Sequence, residues 1–499
     1  MKKLYIIATI VMGLATTSCD SYLDINQNPN SPQESNMTPS IMMPAAEMNF
    51  ASAYGDLFRI PAGYYTQHYA QTPGTSNYLD YSAFTMSAAR SGTAYTQFTS
   101  RALKSLKTIA EQAESIGDWG SFLAAKVLRA YIYQVLVDAY GETPYTEALD
   151  ISHPSPKFDE GIDVYAGILD EIDQALEKVS PSDPVCTNFL FPGKTAANWI
   201  QFANALKLRI LTRESGVVDV NSKIAALISE NNFPTADVAY TGCWSNESGS
   251  MSPFYAEEIS TAWGSTQVNV CANIALVGTM QQEDYTDPRL AAFFLPNSEG
   301  KYQGSVSGTN LTSSFKLDSF NRPSETYDSP VYLLTVAEIE FFISEYYAKQ
   351  GNSAQAQAHY EAAIKASFAS AGVDGADENI AKFPYNQSNY KQSIGLAKWL
   401  ALSGVNNFES WCELRRLDYP AFGSVTGSQL FTGTAINASI YVPGTLYTPV
   451  EVFNQVGSNK LLERWPYAEE SSSANSNAPR DAEGNVTFPG YTAPVFWGK

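Results

Sequence analysis

Positive charge is the scarcest commodity in this sequence. Among 499 residues, 31 are Lys or Arg against 51 Asp or Glu, a formal net charge of −20. A deficit of that size repels phosphate backbones and anionic lipid headgroups, which excludes nucleic-acid binding. Histidine is nearly absent: His68, His153 and His359 stand far apart with no H-E-x-x-H spacing, which excludes a metalloprotease of that type. Cys186, Cys243, Cys271 and Cys412 show no C-x-x-C spacing, so neither a zinc site nor any other metal or cofactor is expected. More than one disulfide pairing is open to them, and the plain reading is buried free thiols. No apolar run reaches the roughly 20 residues of a membrane-spanning helix.

Catalytic signatures are missing as well. Gly193-Lys194-Thr195 imitates the end of a phosphate-binding loop, but Asn188 stands where the opening Gly belongs. Asp24, Asn26 and Asn28 imitate the start of a calcium loop, but Pro29 and Ser35 replace its Gly and its closing Glu. No G-x-S-x-G elbow occurs. Carboxylate pairs such as Glu257-Glu258 and Glu283-Asp284 read as solvated surface. A glycosidase needs two carboxyls about 5–10 Å apart, a distance that sequence does not fix.

What is present is apolar, aromatic and neutral-polar. Hydrophobic residues make up 44% and aromatics 13%, enough for a large core. Lys2 and Lys3 precede an apolar run, Leu4–Leu14, and then the small residues Ala15-Thr16-Thr17-Ser18 before Cys19. The pattern reads as a signal peptide over 1–18. Its end resembles the lipobox of bacterial lipoproteins, with Thr16 where Leu is usual. That resemblance implies acylation of Cys19, and several acyl chains anchor stably where one does not. An extended arm, 19–40, would follow. Residues 41–499 then form one α-helical domain with loop-rich insertions at about 61–98, 232–327 and 420–499.

Apolar residues at i, i+3, i+4 spacing predict helices over roughly 99–115, 119–140, 159–179, 195–213 and 221–230. The second is apolar around most of its circumference and is expected at the centre. Over 331–370, Tyr347, Gly351, Ala356, Tyr360 and Ala363 fall at tetratricopeptide spacing, with Gly351 as the turn. The fold class is therefore all-α: a tetratricopeptide-like helical-repeat scaffold with long irregular ligand-facing loops. Those loops are rich in aromatics with a polar handle, suited to stacking on sugar rings or clamping peptides. Tyr65, Tyr78, Tyr81, Trp244, Tyr255, Trp263 and Tyr302 are the candidate ligand-binding residues.

Several stretches together resemble the SusD/RagB family of outer-membrane nutrient-binding lipoproteins, in its second SusD-like branch. They are Cys19 to Asn30; Asp138-Ala139-Tyr140-Gly141-Glu142-Thr143-Pro144-Tyr145; Asp287-Pro288-Arg289-Leu290; and Lys398-Trp399 with Glu409, Trp411, Arg415 and Arg416. Arg464-Trp465-Pro466-Tyr467 departs locally from the usual R-x-x-Y-P pattern. The resemblance implies a non-enzymatic, lipid-anchored protein facing outward from a Gram-negative outer membrane. It further implies that the protein binds oligosaccharide or peptide and loads a SusC-like TonB-dependent β-barrel transporter. Trp399, Trp411, Arg415 and Arg416 are read as packing groups. The competing classes are a surface glycoside hydrolase and a stand-alone polymer-binding adhesin.

Overall fold

The computed structural model describes residues 37–260, 268–309 and 315–498. The signal segment, Cys19, most of the arm 19–40 and Trp263 lie outside the described residues. Helix α1 (Pro39–Ala53) continues through a π-helical turn at Tyr54–Phe58 into α2 (Arg59–Tyr65). Strand β1 (Tyr69–Gln71) and the short α3 (Leu79–Ser82) lead to α4 (Ala88–Thr96), which a second π segment, Gln97–Leu103, fuses to α5 (Lys104–Ile116). Then come α6 (Trp119–Tyr140), α7 (Gly161–Lys178), α8 (Ala196–Glu214) and α9 (Asn221–Glu230).

The next stretch is built of short pieces: β2 (Val238–Tyr240), α10 (Pro253–Glu258), β3 (Val270–Ala272), α11 (Ile274–Met280), β4 (Gln281–Gln282), β5 (Tyr285–Thr286) and α12 (Arg289–Phe293). Strand β6 (Val331–Leu334) opens the repeat-like pair α13 (Val336–Lys349) and α14 (Ser353–Ala371). After α15 (Ala376–Lys382), α16 (Tyr390–Ala401) and α17 (Asn407–Leu417), α18 (Gly427–Leu430), a 3-10 turn at Ala438–Ile440 and α19 (Glu469–Ala474) interrupt a largely irregular tail. The strands pair antiparallel two by two: β1 with β3, β2 with β6, and β4 with β5.

The helical expectations hold within a few residues, and each has a local cause. Asp118 caps α6 by accepting from Ser121 N, and Gly117 ends α5 at φ +74°. Leu123, Val127 and Leu136 of α6 are fully buried, so that helix is central as expected. Thr335 and Glu338 form a reciprocal capping box at the start of α13. Gly351, at φ +73°, makes the turn, while Ala356, Tyr360 and Ala363 are buried where α13 and α14 meet.

The stretch 61–98 departs from expectation. It is largely helical and buried rather than a ligand-facing loop. Tyr64 and Tyr65 are fully buried because their hydroxyls find backbone partners inside: Tyr64 donates to Asn269 O at 3.1 Å and Tyr65 to Thr85 O at 3.0 Å. An aromatic with a polar handle suits a core as well as a ligand when a carbonyl waits for the handle.

The helices are locked together by buried charge. Arg209 and Arg213, one turn apart on α8, are fully buried. Arg209 meets Glu338 of α13 at 2.9 Å and Glu409 of α17 at 3.3 Å. Arg213 meets Asp138 of α6, Glu409, and Glu413 at 3.2 Å. Lys398 and Arg416 close the network on Glu413 and Glu345. Removing one member of such a network leaves an unpaired buried charge, so it fixes helix register. Trp399 and Trp411 are core groups whose indoles donate to Thr66 O and Leu462 O, each at 2.8 Å. Arg415 lies 3.6 Å over the Trp411 ring.

Candidate functional site

Two of the loop-rich stretches, 232–327 and 420–499, converge on one open cleft of about 700 Å3. Its floor is α11. Asn273 caps that helix by accepting from Ala275 N at 2.9 Å, and its amide donates to Ser307 Oγ at 2.8 Å, which fixes where the helix starts. The second wall is the hairpin β4–β5, whose two-residue turn carries Glu283 and Asp284. The third wall comes from Tyr302 to Gly304 and from the 436–443 segment.

The hairpin is held from behind by the Asp287-Pro288-Arg289 motif. Asp287 receives Arg289 through Nε at 3.0 Å and Nη2 at 2.6 Å, and the Asn379 amide at 2.9 Å. Arg289 then donates to Ser367 Oγ on α14 at 2.9 Å, with its guanidinium 4.4 Å from the Phe368 ring centre. This motif is a clamp between the hairpin and the repeat pair. The Asp138–Tyr145 and Arg464–Tyr467 motifs likewise meet each other, Arg464 pairing with Glu142 at 2.9 Å while Tyr467 donates to the same carboxylate.

Two close approaches shape the cleft. A Cβ on Gly278 would stand 2.5 Å from Tyr441 Cδ1, so only Gly lets that ring lie on α11. A Cβ on Gly304 would stand 2.4 Å from Ile274 Cα, so the Tyr302 segment runs hard against the helix start. The Tyr441 hydroxyl donates to Ala275 O at 2.9 Å or Thr445 O at 2.7 Å, leaving its ring as wall.

The lining is chemically consistent. Half-buried Tyr302 supplies an aromatic face, Gln281, Gln282 and Gln303 supply amides, Glu283 and Asp284 carboxylates, and Ser439 a hydroxyl. Asp284 is paired with Lys382 at 2.7 Å, and that hydrogen bond holds its carboxyl below the usual carboxylate range. Planar polar side chains beside an aromatic ring match the hydroxyls and apolar faces of a sugar. Neither a group of His, Cys, Asp and Glu fit to hold a metal nor a helix long and apolar enough to cross a membrane occurs among the described residues.

Of the aromatics singled out from sequence, the structure brings Tyr302 to this cleft. Tyr65 sits in the core against Tyr81, Phe84 and Trp411, out of reach of an external ligand. Tyr78 and Tyr81 stack on each other at 5.3 Å, under the Arg90 guanidinium, which lies 4.9 Å from the Tyr81 ring. They are 5% and 6% exposed, so the pair presents little open face. Beneath them Glu258 accepts from Asn269 N at 3.0 Å, and burial pushes its carboxyl up to about 7. Trp244 is half-buried and donates to Tyr240 O at 3.2 Å, and Tyr255 is half-buried on α10. The sequence reading missed Tyr441 and the three glutamines. The only local signal was the Glu283-Asp284 pair, read as solvated surface.

No curated protein sequence matches this chain. Solved structures match it over nearly their full length. A SusD homolog of Bacteroides uniformis is 19% identical with a TM-score of 0.70, over 91% of this chain and 98% of that one. A SusD homolog of Parabacteroides distasonis is 16% identical with a TM-score of 0.71, over 91% and 97%. A chitin-binding protein is 17% identical with a TM-score of 0.72, over 92% and 100%. At these identities the likeness is one of fold, and it agrees with the all-α, repeat-bearing architecture. The family model SusD-like_2, described as starch-binding associating with outer membrane, matches residues 29–440, and the chain belongs to that family.

Proposed function

We propose that the cleft captures an oligosaccharide outside an outer membrane and that the protein passes it to a SusC-like TonB-dependent β-barrel transporter. The observation that carries this reading is the lining itself: Tyr302 beside three amides and two carboxylates in about 700 Å3. That volume lies within the ~300–1,000 Å3 of small-ligand sites. Family membership supports the association with an outer membrane. The anchor is Cys19, acylated after removal of 1–18, and Trp244, Tyr255 and Trp263 are further candidate ligand contacts.

The work is capture rather than bond cleavage. Asp284 is tied to Lys382 as an ion pair and so is a poor proton donor, and Glu258, whose carboxyl burial pushes up to about 7, is shut away under Tyr78. Calorimetry with starch- and chitin-derived oligosaccharides tests the reading, since one structural relative carries the name of a chitin-binding protein. Tyr302→Ala should weaken the preferred glycan about tenfold, the ~1.4 kcal/mol expected of one lost stacking face. Unchanged affinity for every oligosaccharide, or binding only to peptides, would overturn the glycan assignment. Extraction from membranes in mild detergent should bring a large β-barrel with the protein at equal stoichiometry. Recovery alone at the same yield would overturn the delivery step.

A further inference from the structure

The walls of the cleft differ in character, and the difference bears on which sugar it takes. Ile274, Val277 and Gly278 share one face of α11, and Gln281 and Gln282 continue that line past its end. The floor therefore runs from aliphatic to amide. Ile436, Ala438 and Pro443 add a second aliphatic surface, the first half-buried and the other two exposed. Tyr302 supplies the aromatic face, and Gln303 beside it a third amide.

One of the amides is committed in its orientation. Gln282 Nε2 donates to Thr279 O at 3.0 Å. A carbonyl only accepts, so the nitrogen is taken and the side-chain oxygen is what Gln282 offers a ligand. Gln281 is exposed and Gln303 half-buried, and each carries an amide able to donate as well as accept. A fixed acceptor, adaptable donors and an aliphatic surface thus line the same cleft.

An unsubstituted glucan uses this set poorly. Its hydroxyls suit the amides and its ring faces suit Tyr302, but branched aliphatic side chains give a pyranose no flat surface to stack on. An acetamido group uses all of it. Its N–H donates to a fixed acceptor, its carbonyl oxygen accepts from an amide, and its methyl packs against aliphatic carbon. The single ring face alongside favours a sugar over a peptide as the carrier of that group. Resting on the reading of the cleft as a glycan site, we infer that its preferred ligand is an oligosaccharide of N-acetylated amino sugars, with Gln282 Oε1 accepting from the acetamido N–H.

The test is calorimetry on the full-length chain without its signal segment. It compares the N-acetylglucosamine tetramer with the glucose tetramer of the same β linkage, which differ only in carrying acetamido or hydroxyl beside the anomeric carbon. The acetylated tetramer should bind at least about tenfold more tightly, the order expected when one methyl group settles in an apolar pocket. Gln282→Leu, which removes the oxygen at similar size, should erase most of that preference. Gln281→Ala, at an exposed position, should reduce it with the melting temperature unchanged, which keeps the test open if Gln282→Leu disturbs the hairpin. Tyr302→Ala should weaken both tetramers alike, since the ring face is common to them. Equal affinity for the two tetramers would overturn the proposal and leave glycan capture standing, as would glutamine variants that weaken both alike. An N-acetylated dialanine amide bound as tightly as the acetylated tetramer would assign the cleft to peptides and overturn both. Failure of both tetramers overturns the proposal, and failure of starch-derived oligosaccharides as well would remove the glycan reading with it.

Discussion

Glu47 shows how much a single side chain can bias the molecule. It is fully buried on α1, where it accepts from Phe189 N at 2.6 Å and Leu190 N at 3.2 Å, with no cation paired to it among the described residues. Burial, the largest influence, raises its carboxyl from 4.5 to about 8 against those two hydrogen bonds. The unfolded chain ionises this group near 4.5 while the folded chain still holds the proton. Unfolding therefore releases a proton across that window, and stability falls as pH rises from about 5 to about 8. The loss is on the order of 3–5 kcal/mol. Glu214, Glu258 and Glu463, each pushed up to about 7 chiefly by burial, slope the same way. Glu345, held at about 2 beside Arg416, acts only below the window. Glu47→Gln keeps an acceptor oxygen and removes the titration, so urea unfolding at pH 5, 6.5 and 8 should give a distinctly flatter profile than wild type. Identical profiles would show that Glu47 ionises normally. At this scale the sequence misleads for a definite reason: Tyr65 and Tyr302 look alike in composition, and only the waiting carbonyl of Thr85 sends one of them inward.

The helix α11 is the element on which the cleft depends. Gly278→Ala places a methyl into the Tyr441 ring, and either the ring or the helix must give way. The expected cost is about 1–3 kcal/mol of stability, as for overpacking elsewhere. The oligosaccharide affinity should fall with it, because Tyr441 and the hairpin face each other across the cleft. Gly351→Ala is the matched control. Its φ of +73° makes it strained, but nothing lies within 4 Å of the new methyl, so about 1 kcal/mol should go without any change in binding. Thermal melts and calorimetry on the two variants separate wall from scaffold. Wild-type affinity in Gly278→Ala would mean that this contact does not set the cleft. The contrast also explains what was legible at the level of elements. Helices such as α5 and α7 each bury one stripe, which leaves a period in the sequence, and α6 is legible as a long apolar run. The two-residue strands β4 and β5 leave none, and the cleft joins segments near 280, 302 and 440 whose meeting no local pattern encodes. Within 61–98, α2 is buried on every side, which erases the alternation that periodicity needs, and α3 and α4 are too short and too rich in small polar residues to leave a clear apolar stripe.

Over the whole molecule, charge decides which glycans are admissible. The net charge is −20, and no Lys or Arg is among the residues lining the cleft. Two cations beside it are already paired, Lys382 with Asp284 and Lys301 with Glu299. A neutral oligosaccharide feels none of this field, because ring stacking and neutral hydrogen bonds are insensitive to ionic strength. A uronate or sulfated polymer meets repulsion of long range, which salt screens over about 10 Å at 0.1 M and 3 Å at 1 M. The affinity for the neutral glycan should therefore change less than about twofold between roughly 0.05 and 0.5 M NaCl, whereas a polyanionic glycan should bind only weakly and improve as salt is added. Titrations of both polymer classes at the two salt concentrations distinguish the cases. Tight polyanion binding that salt weakens would require an unpaired basic surface on the ligand-facing side, and the cleft would then not be the site of capture.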